Sequence, residues 1–243
     1  MSELPLPPEK LRYPRGLDFV TGGEAVFDQL VGFGGLKPED RVLDAGCGIG
    51  RVARHLVDYL TGSYEGFDIV PPAVEWCQDE ITPRHPNFRF QVAKANIRNG
   101  KYNPNGAVSA AQYRWPYEDT SFDFVFLASV FTHLLPSDVE NYVQQAARVL
   151  KPGGRLLATY FLLNKESVKL MEHEGSRFNF KKRIAPGCRT TRPNRPEAAI
   201  AYAERRVRDL YAESGLTLLG VRYGGWCRPR ADYHQDIVVA IKT

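Results

Sequence analysis

Asp44-Ala45-Gly46-Cys47-Gly48-Ile49-Gly50 follows the short apolar run Arg41-Val42-Leu43 and leads into a segment, 51–60, in which Val52, Leu56, Val57 and Leu60 share one helical stripe. A strand that ends in a glycine-rich turn and passes at once into a helix is the opening unit of a doubly wound α/β sheet. Upstream, Gly22-Gly23 open a helical pattern carrying Val26, Phe27, Leu30 and Val31, and Gly34-Gly35 close it. Downstream, 64–68 reads as a second strand and Pro71-Pro72 as the start of a second helix. A third strand spans 88–93, and 94–120 is irregular, with Asn103-Pro104-Asn105-Gly106 as a turn cluster. The run 122–128 reads as a strand covered on both faces, with Phe122, Phe124 and Phe126 in the core. A helix follows over 137–150, with Ser137 and Glu140 as a capping box, stopped by Pro152-Gly153-Gly154. A fifth strand covers 156–161, a polar segment 162–196, a helix 197–214, and two strands, 216–223 and 237–241, pair as an antiparallel hairpin. This order predicts an α/β fold: a doubly wound, Rossmann-like, seven-stranded and mostly parallel sheet with an antiparallel last strand, plus an insert after the fifth strand. The chain reads as a single domain over 1–243, with 162–196 as a lid-like, mobile insert within it.

Composition agrees with a folded enzyme-sized domain. The 243 residues are 43% hydrophobic and 25% charged, which excludes a disordered chain. The net charge of +4 is too mild to argue for nucleic acid. No stretch reaches the roughly 18 apolar residues of a membrane span. Met1-Ser2-Glu3-Leu4-Pro5 lacks the basic-then-apolar pattern of a secretory signal, so a cytoplasmic protein is expected. Cys47, Cys77, Cys188 and Cys227 lie at least 30 residues apart, which is not the spacing of a zinc site, and they read as free thiols. Cys47 reads as a small packed residue rather than a nucleophile.

The turn sits where such sheets bind adenosine-bearing ligands, and Asp68 at the end of the second strand suits two ribose hydroxyls. Two ligands compete for it. Dinucleotide turns read G-x-G-x-x-G, whereas the spacing here is G-x-G-x-G, one residue shorter. Asp44 also stands where a pyrophosphate would be repelled and an ammonium attracted. S-adenosylmethionine carries an ammonium, a sulfonium and a ribose but no phosphate, so the acid-first turn favours it.

Val42-Leu43-Asp44-Ala45-Gly46-Cys47-Gly48-Ile49-Gly50-Arg51 resembles motif I of the class I S-adenosylmethionine-dependent methyltransferases. Gly66-Phe67-Asp68-Ile69 resembles their acidic second-strand motif, and Trp115 to Asp123 the approach to the fourth strand in the type 11/12, small-molecule branch. Arg148-Val149-Leu150-Lys151-Pro152-Gly153-Gly154 is similar to that branch's signature after the helix. The resemblance implies S-adenosyl-L-methionine as cofactor. Asp44 and the backbone of Gly46, Cys47 and Gly48 would hold its methionine part, Asp68 the ribose, and Ile69 the adenine face. Asn96, followed by Ile97, stands where an Asp usually meets the adenine amino group, and its amide oxygen can accept there. Ala128 would offer backbone near the methionine.

Methyl transfer needs alignment above all, and a base only for weakly acidic acceptors. His133, just past the fourth strand, is the candidate base, by its position near the methyl group and its titration range. Glu172 and His173 in the insert are weaker candidates. Between Gly175 and Pro196 the insert carries seven basic residues and no acid (Arg177, Lys181, Lys182, Arg183, Arg189, Arg192 and Arg195), which suits either a solvated loop or an anionic acceptor. Trp226 suits either the core or an aromatic wall of the acceptor site. The expected reaction is methyl transfer to a small molecule, at oxygen, because Leu127-Ala128-Ser129-Val130 lacks the Asn/Asp-Pro-Pro-aromatic motif of amine methylation. A protein or nucleic-acid methyltransferase and a non-catalytic S-adenosylmethionine binder are the alternatives. No resident metal is expected.

Overall fold

The computed structural model describes residues 4–12, 18–93, 97–172, 176, 178–228 and 235–243. In strand β1 (Arg41–Ala45), Leu43 and Ala45 enter the core on one side of a sheet and Val42 the core on the other, the two-residue period of a strand covered on both faces. β2 (Ser63–Asp68) pairs parallel with it, and β3 (Phe88–Val92) parallel with β2. Two short strands, β4 (Ile97–Arg98) and β5 (Val108–Ser109), form a ribbon of their own. β6 (Phe122–Leu127) joins the other edge of β1, followed by β7 (Leu150–Tyr160). The chain closes with β12 (Leu216–Arg222) and β13 (Asp236–Lys242), β13 running antiparallel to both β12 and β7. The sheet order β12-β13-β7-β6-β1-β2-β3 is the seven-stranded, doubly wound arrangement read from the sequence. Its strand order reverses between β1 and β6, so the turn after β1 opens at the switch point.

Helices cover both faces: α1 (Phe19–Gly32), α2 (Ala53–Leu56), α3 (Pro71–Glu80), α4 (Pro136–Val149), α5 (Lys165–Met171) and α6 (Glu204–Glu213). None of the described helices is long and apolar enough to cross a membrane. Phe122, Phe124 and Phe126 are fully buried, each contributing about 2 kcal/mol by burial. A register shift between Phe122 and Phe124 sends them to different cores, which strict alternation would not.

Several boundaries differ from the sequence reading. α1 starts at Phe19, where the Asp18 carboxylate accepts from the Val20 and Thr21 N–H groups. Gly22 and Gly23 therefore sit inside it, and their smallness serves packing: a Cβ on Gly23 would lie 2.2 Å from the Arg51 carbonyl oxygen. The stripe Val52, Leu56, Val57 and Leu60 is buried, but α2 holds four residues, because its flanks close tighter bonds from His55 N–H to Val52 and from Tyr59 N–H to Leu56. α4 starts at Pro136, and Asp138 rather than Glu140 reaches back to the Leu135 N–H, at 3.2 Å. Glu140 instead pairs with Arg206.

The insert departs most. Its residues build β8 (Leu162–Leu163), α5, β9 (Lys182–Ala185) and β10 (Cys188–Thr190), and β11 (Ile200–Ala203) takes the start of the expected helix. These strands form a second sheet, in the order β8-β11-β10-β9. Phe161, Met171, Phe180, Ala201, Trp226 and Cys227 make its core. The segment read only as polar thus holds one helix and three strands among its described residues. Trp226 belongs to that core and does not wall the acceptor site, with its indole N–H donating to Asp236 at 2.7 Å.

Candidate functional site

A cavity of about 910 Å³ opens at the carboxyl ends of β1, β2, β6 and β7. Asp44, Gly46, Cys47, Gly48, Asp68, Ile69, Ile97, Ala128 and His133 all line it, so nine of the ten residues singled out for the cofactor and as leading base share one space, while the weaker candidate Glu172 is exposed and outside the lining. The tenth, Asn96, lies outside the described residues, as do His173 and Arg177. Among the basic residues of the insert that are described, Arg195 reaches the cavity, and Lys181, Lys182, Arg183 and Arg192 are exposed.

The turn after β1 is shaped by its own hydrogen bonds. Gly46 N–H and Cys47 N–H both donate to the Phe67 carbonyl, and Gly48 N–H donates to Asp68 at 2.8 Å. These three donors are satisfied internally, so the turn offers a ligand close backbone approach and carbonyl oxygens. Asp68 accepts on its other oxygen from Val70 N–H at 3.0 Å. Each carboxylate oxygen keeps a further lone pair for a ligand hydroxyl. Burial raises the Asp68 titration, and these backbone donors hold it down.

Asp44 is 2% exposed and accepts from the buried Tyr64 hydroxyl at 2.7 Å. Burial pushes its titration up to about 7 against the pull of that hydrogen bond, with the Asp68 charge adding to the rise. Cys47 is buried, and burial carries its thiol well above the ordinary range, which suits packing and not nucleophilic attack. α1 forms a wall that sequence reasoning missed: Thr21, Gly22, Ala25 and Val26 line the cavity. The Arg51 guanidinium, also in the lining, ties this wall down by donating to the Gly22 carbonyl.

Past β6, Ser129 holds φ +63°, a strained value for a residue with a side chain. Its N–H donates to Thr159 at 2.7 Å and its hydroxyl to Gln235 at 3.1 Å. His133 follows, with both ring nitrogens engaged. Nδ1 donates to the Glu197 carbonyl at 2.9 Å, which fixes the tautomer, so Nε2 accepts from Lys101 at 2.9 Å. Burial, then the Lys101 charge, lowers the His133 titration to about 4. The near-neutral titration expected of this ring is therefore corrected, because its environment keeps it neutral and its lone pair occupied. Lys101 and Asn99, also in the lining, were not singled out from the sequence. The asparagine-rich turn around them was the available signal. Among the described residues, no group of His, Cys, Asp and Glu could hold a metal ion.

Residues 43–158 match the family model described as a methyltransferase domain. The chain is 33% identical over 138 residues to 27-O-demethylrifamycin SV methyltransferase of Amycolatopsis mediterranei, covering 56% of this chain and 44% of that protein. It is 28% identical over 120 residues to a sterol 24-C-methyltransferase of Schizosaccharomyces pombe, covering 49% and 27%. The chain thus spans less than half the length of these curated relatives. Among solved structures, the PH0226 protein of Pyrococcus horikoshii shares the fold with a TM-score of 0.65 at 17% identity, over 97% of this chain and 96% of that one.

Proposed function

We propose that this chain, whose residues 43–158 match a methyltransferase domain, is an S-adenosylmethionine-dependent methyltransferase that transfers the methyl group to an oxygen of a small molecule. The observation that carries this reading is the sorting of charge within one cavity. Asp44 and Asp68 gather at the glycine turn, where the ammonium and ribose of the cofactor need acceptors. Ile69 and Ile97 offer apolar surface for the adenine, and Ala128 backbone for the methionine. Lys101, His133 and Arg195 gather where the 99–103 turn meets the segment after β6. A protonated amine finds no counter-charge beside those cations, whereas an oxygen acceptor is favoured there in its ionised form, having given its proton to solvent, and its charge is neutralised as the O–CH3 bond forms and the C–S bond breaks.

The names of the two curated relatives put their methyl groups on oxygen and on carbon, so relatedness alone does not choose the atom. The sulfonium is already a good leaving group, so catalysis rests on alignment, with His133 positioning Lys101 instead of taking a proton. The reading includes an anionic small-molecule acceptor, no nucleic acid, and a reducing, cytoplasmic setting in which the four buried cysteines stay free.

Isothermal titration is the test. S-adenosylmethionine and its demethylated product should bind, and NAD should not. Asp68→Ala should weaken binding by about 2–3 kcal/mol, the scale of charge-assisted hydrogen bonds. Preference for NAD, or unchanged affinity in a folded Asp68→Ala variant, would reject the assignment.

A further inference from the structure

The turn 99–103 is built to present one side chain. Asn99 and Asn103 exchange backbone hydrogen bonds of 2.9 Å, and the Asn99 side-chain oxygen accepts from the Lys101 and Tyr102 N–H groups at 3.0 Å each. The Asn99 side-chain amide donates to the His133 carbonyl at 2.8 Å. From the other side, Arg195 donates to the Gly100 and Lys101 carbonyls, and Glu197 accepts from Gly100 N–H at 3.1 Å. Gly100 must be small for this closure, since a Cβ there would lie 2.7 Å from the Glu197 carboxylate. Three segments distant in sequence thus fix a turn whose lysine faces the cavity.

Among the described residues the ammonium so presented has no counter-ion. Lys101 Nζ donates to neutral His133 Nε2 and lies 4.7 Å from the Tyr102 ring centroid. No carboxylate among the described residues comes within ion-pair distance of Lys101 or of Arg195, while Glu197 is turned to Gly100 N–H. Burial and the Arg195 charge both act against the Lys101 charge, lowering its titration to about 8. A half-buried cation held in place by a rigid turn, beside a second cation and with no described carboxylate at ion-pair distance, has the chemistry to receive an anion.

We propose that Lys101, oriented by His133 and reinforced by Arg195, is a subsite for an oxyanion, a carboxylate or a phosphate, carried by the acceptor. This rests on the methyltransferase reading and deepens it by naming the group that the acceptor must bear besides the methylated atom. Lys101 Nζ keeps two N–H donors beyond the one given to His133, enough for two anion oxygens. Tyr102, Tyr142 and Phe178 in the lining would flank the ring or chain that bears the anion. Of the rest of the basic run, Lys181, Lys182, Arg183 and Arg192 are exposed and outside the lining.

The test is titration calorimetry with benzoate, phenyl phosphate and neutral benzamide against protein saturated with S-adenosylhomocysteine. Both anions should bind more tightly than benzamide, and the tighter of the two identifies the carboxylate or the phosphate source. Lys101→Met should weaken the preferred anion about ten-fold or more and leave benzamide and S-adenosylhomocysteine unchanged. Between pH 7 and about pH 9.5 the anion preference should fall as Lys101 loses its proton, His133 being neutral throughout. Equal binding of benzoate and benzamide, no binding of either anion, or an undiminished preference in Lys101→Met would overturn the subsite. Failure of S-adenosylhomocysteine to bind would instead overturn the methyltransferase reading. The same titrations on the unliganded protein would then decide the subsite by the same outcomes.

Discussion

Asp44 shows how much one residue's role depends on a partner the sequence does not reveal. Its place at the end of β1 was legible from the glycines behind it, and its affinity for a cation followed from its charge. The buried Tyr64 hydroxyl that meets it comes from the neighbouring strand, 20 residues on. With its titration pushed up to about 7, Asp44 is largely protonated in the free protein below that pH. A ligand ammonium requires the ionised form, so S-adenosylhomocysteine affinity should rise as pH is raised from about 5.5 to 8. The other charged groups facing Asp44 are Asp68, which raises its titration, and Arg51, which lowers it. Tyr64→Phe removes a hydrogen bond that favours the carboxylate, so the rise should move to higher pH. A titration series flat in both proteins would reject the Asp44 contact. His133 carries the same lesson. Its location could be read, but its titration is lowered by burial and then by Lys101, against the pull of the Glu197 carbonyl, the two partners lying 32 and 64 residues away.

At the scale of elements, the strands of the main sheet were legible because both faces are covered and the apolar runs are nearly continuous. The second sheet was not, since its strands are two to four residues long and alternate with charged positions such as Lys182 and Arg183. Its core also draws on Trp226, far along the chain. The glycine turn was legible as a unit, but its glycines are not equivalent. Gly46 holds φ +103°, and a Cβ there would lie 2.4 Å from Val130 Cγ2. Gly48 holds φ +52°, and a Cβ there would meet nothing within 4 Å. Gly48→Ala should therefore cost about 1–2 kcal/mol, the left-handed backbone penalty alone. Gly46→Ala adds a steric clash to a worse backbone angle and should cost at least about 3 kcal/mol. Urea unfolding of both variants checks this ordering, and equal midpoints would refute the geometry assigned to the turn.

Across the whole molecule, the two sheets are joined through one buried carboxylate at the start of β13. Asp236 accepts from Leu162 N–H at 2.6 Å, Gly224 N–H at 2.8 Å and the Trp226 indole at 2.7 Å. These donors come from the first strand of the second sheet and from the segment after β12, so a main-sheet residue anchors both. Asp236→Ala leaves three buried donors without an acceptor and should cost about 3–5 kcal/mol. Asp236→Asn keeps one accepting oxygen and should cost less, about 1–3 kcal/mol. Burial, partly opposed by these donors, pushes the Asp236 titration up to about 6, above its value in the unfolded chain. Its contribution is therefore complete below pH 3.8 and is lost as pH rises through about 6, so the Asn variant should show a shallower loss of stability across that window. Limited proteolysis locates the damage: the native insert, being a packed layer, should resist cleavage over 182–203, and Asp236→Ala should expose it before the main sheet yields. Cleavage of the native insert at the rate of the variant would mean that the second sheet does not depend on this carboxylate.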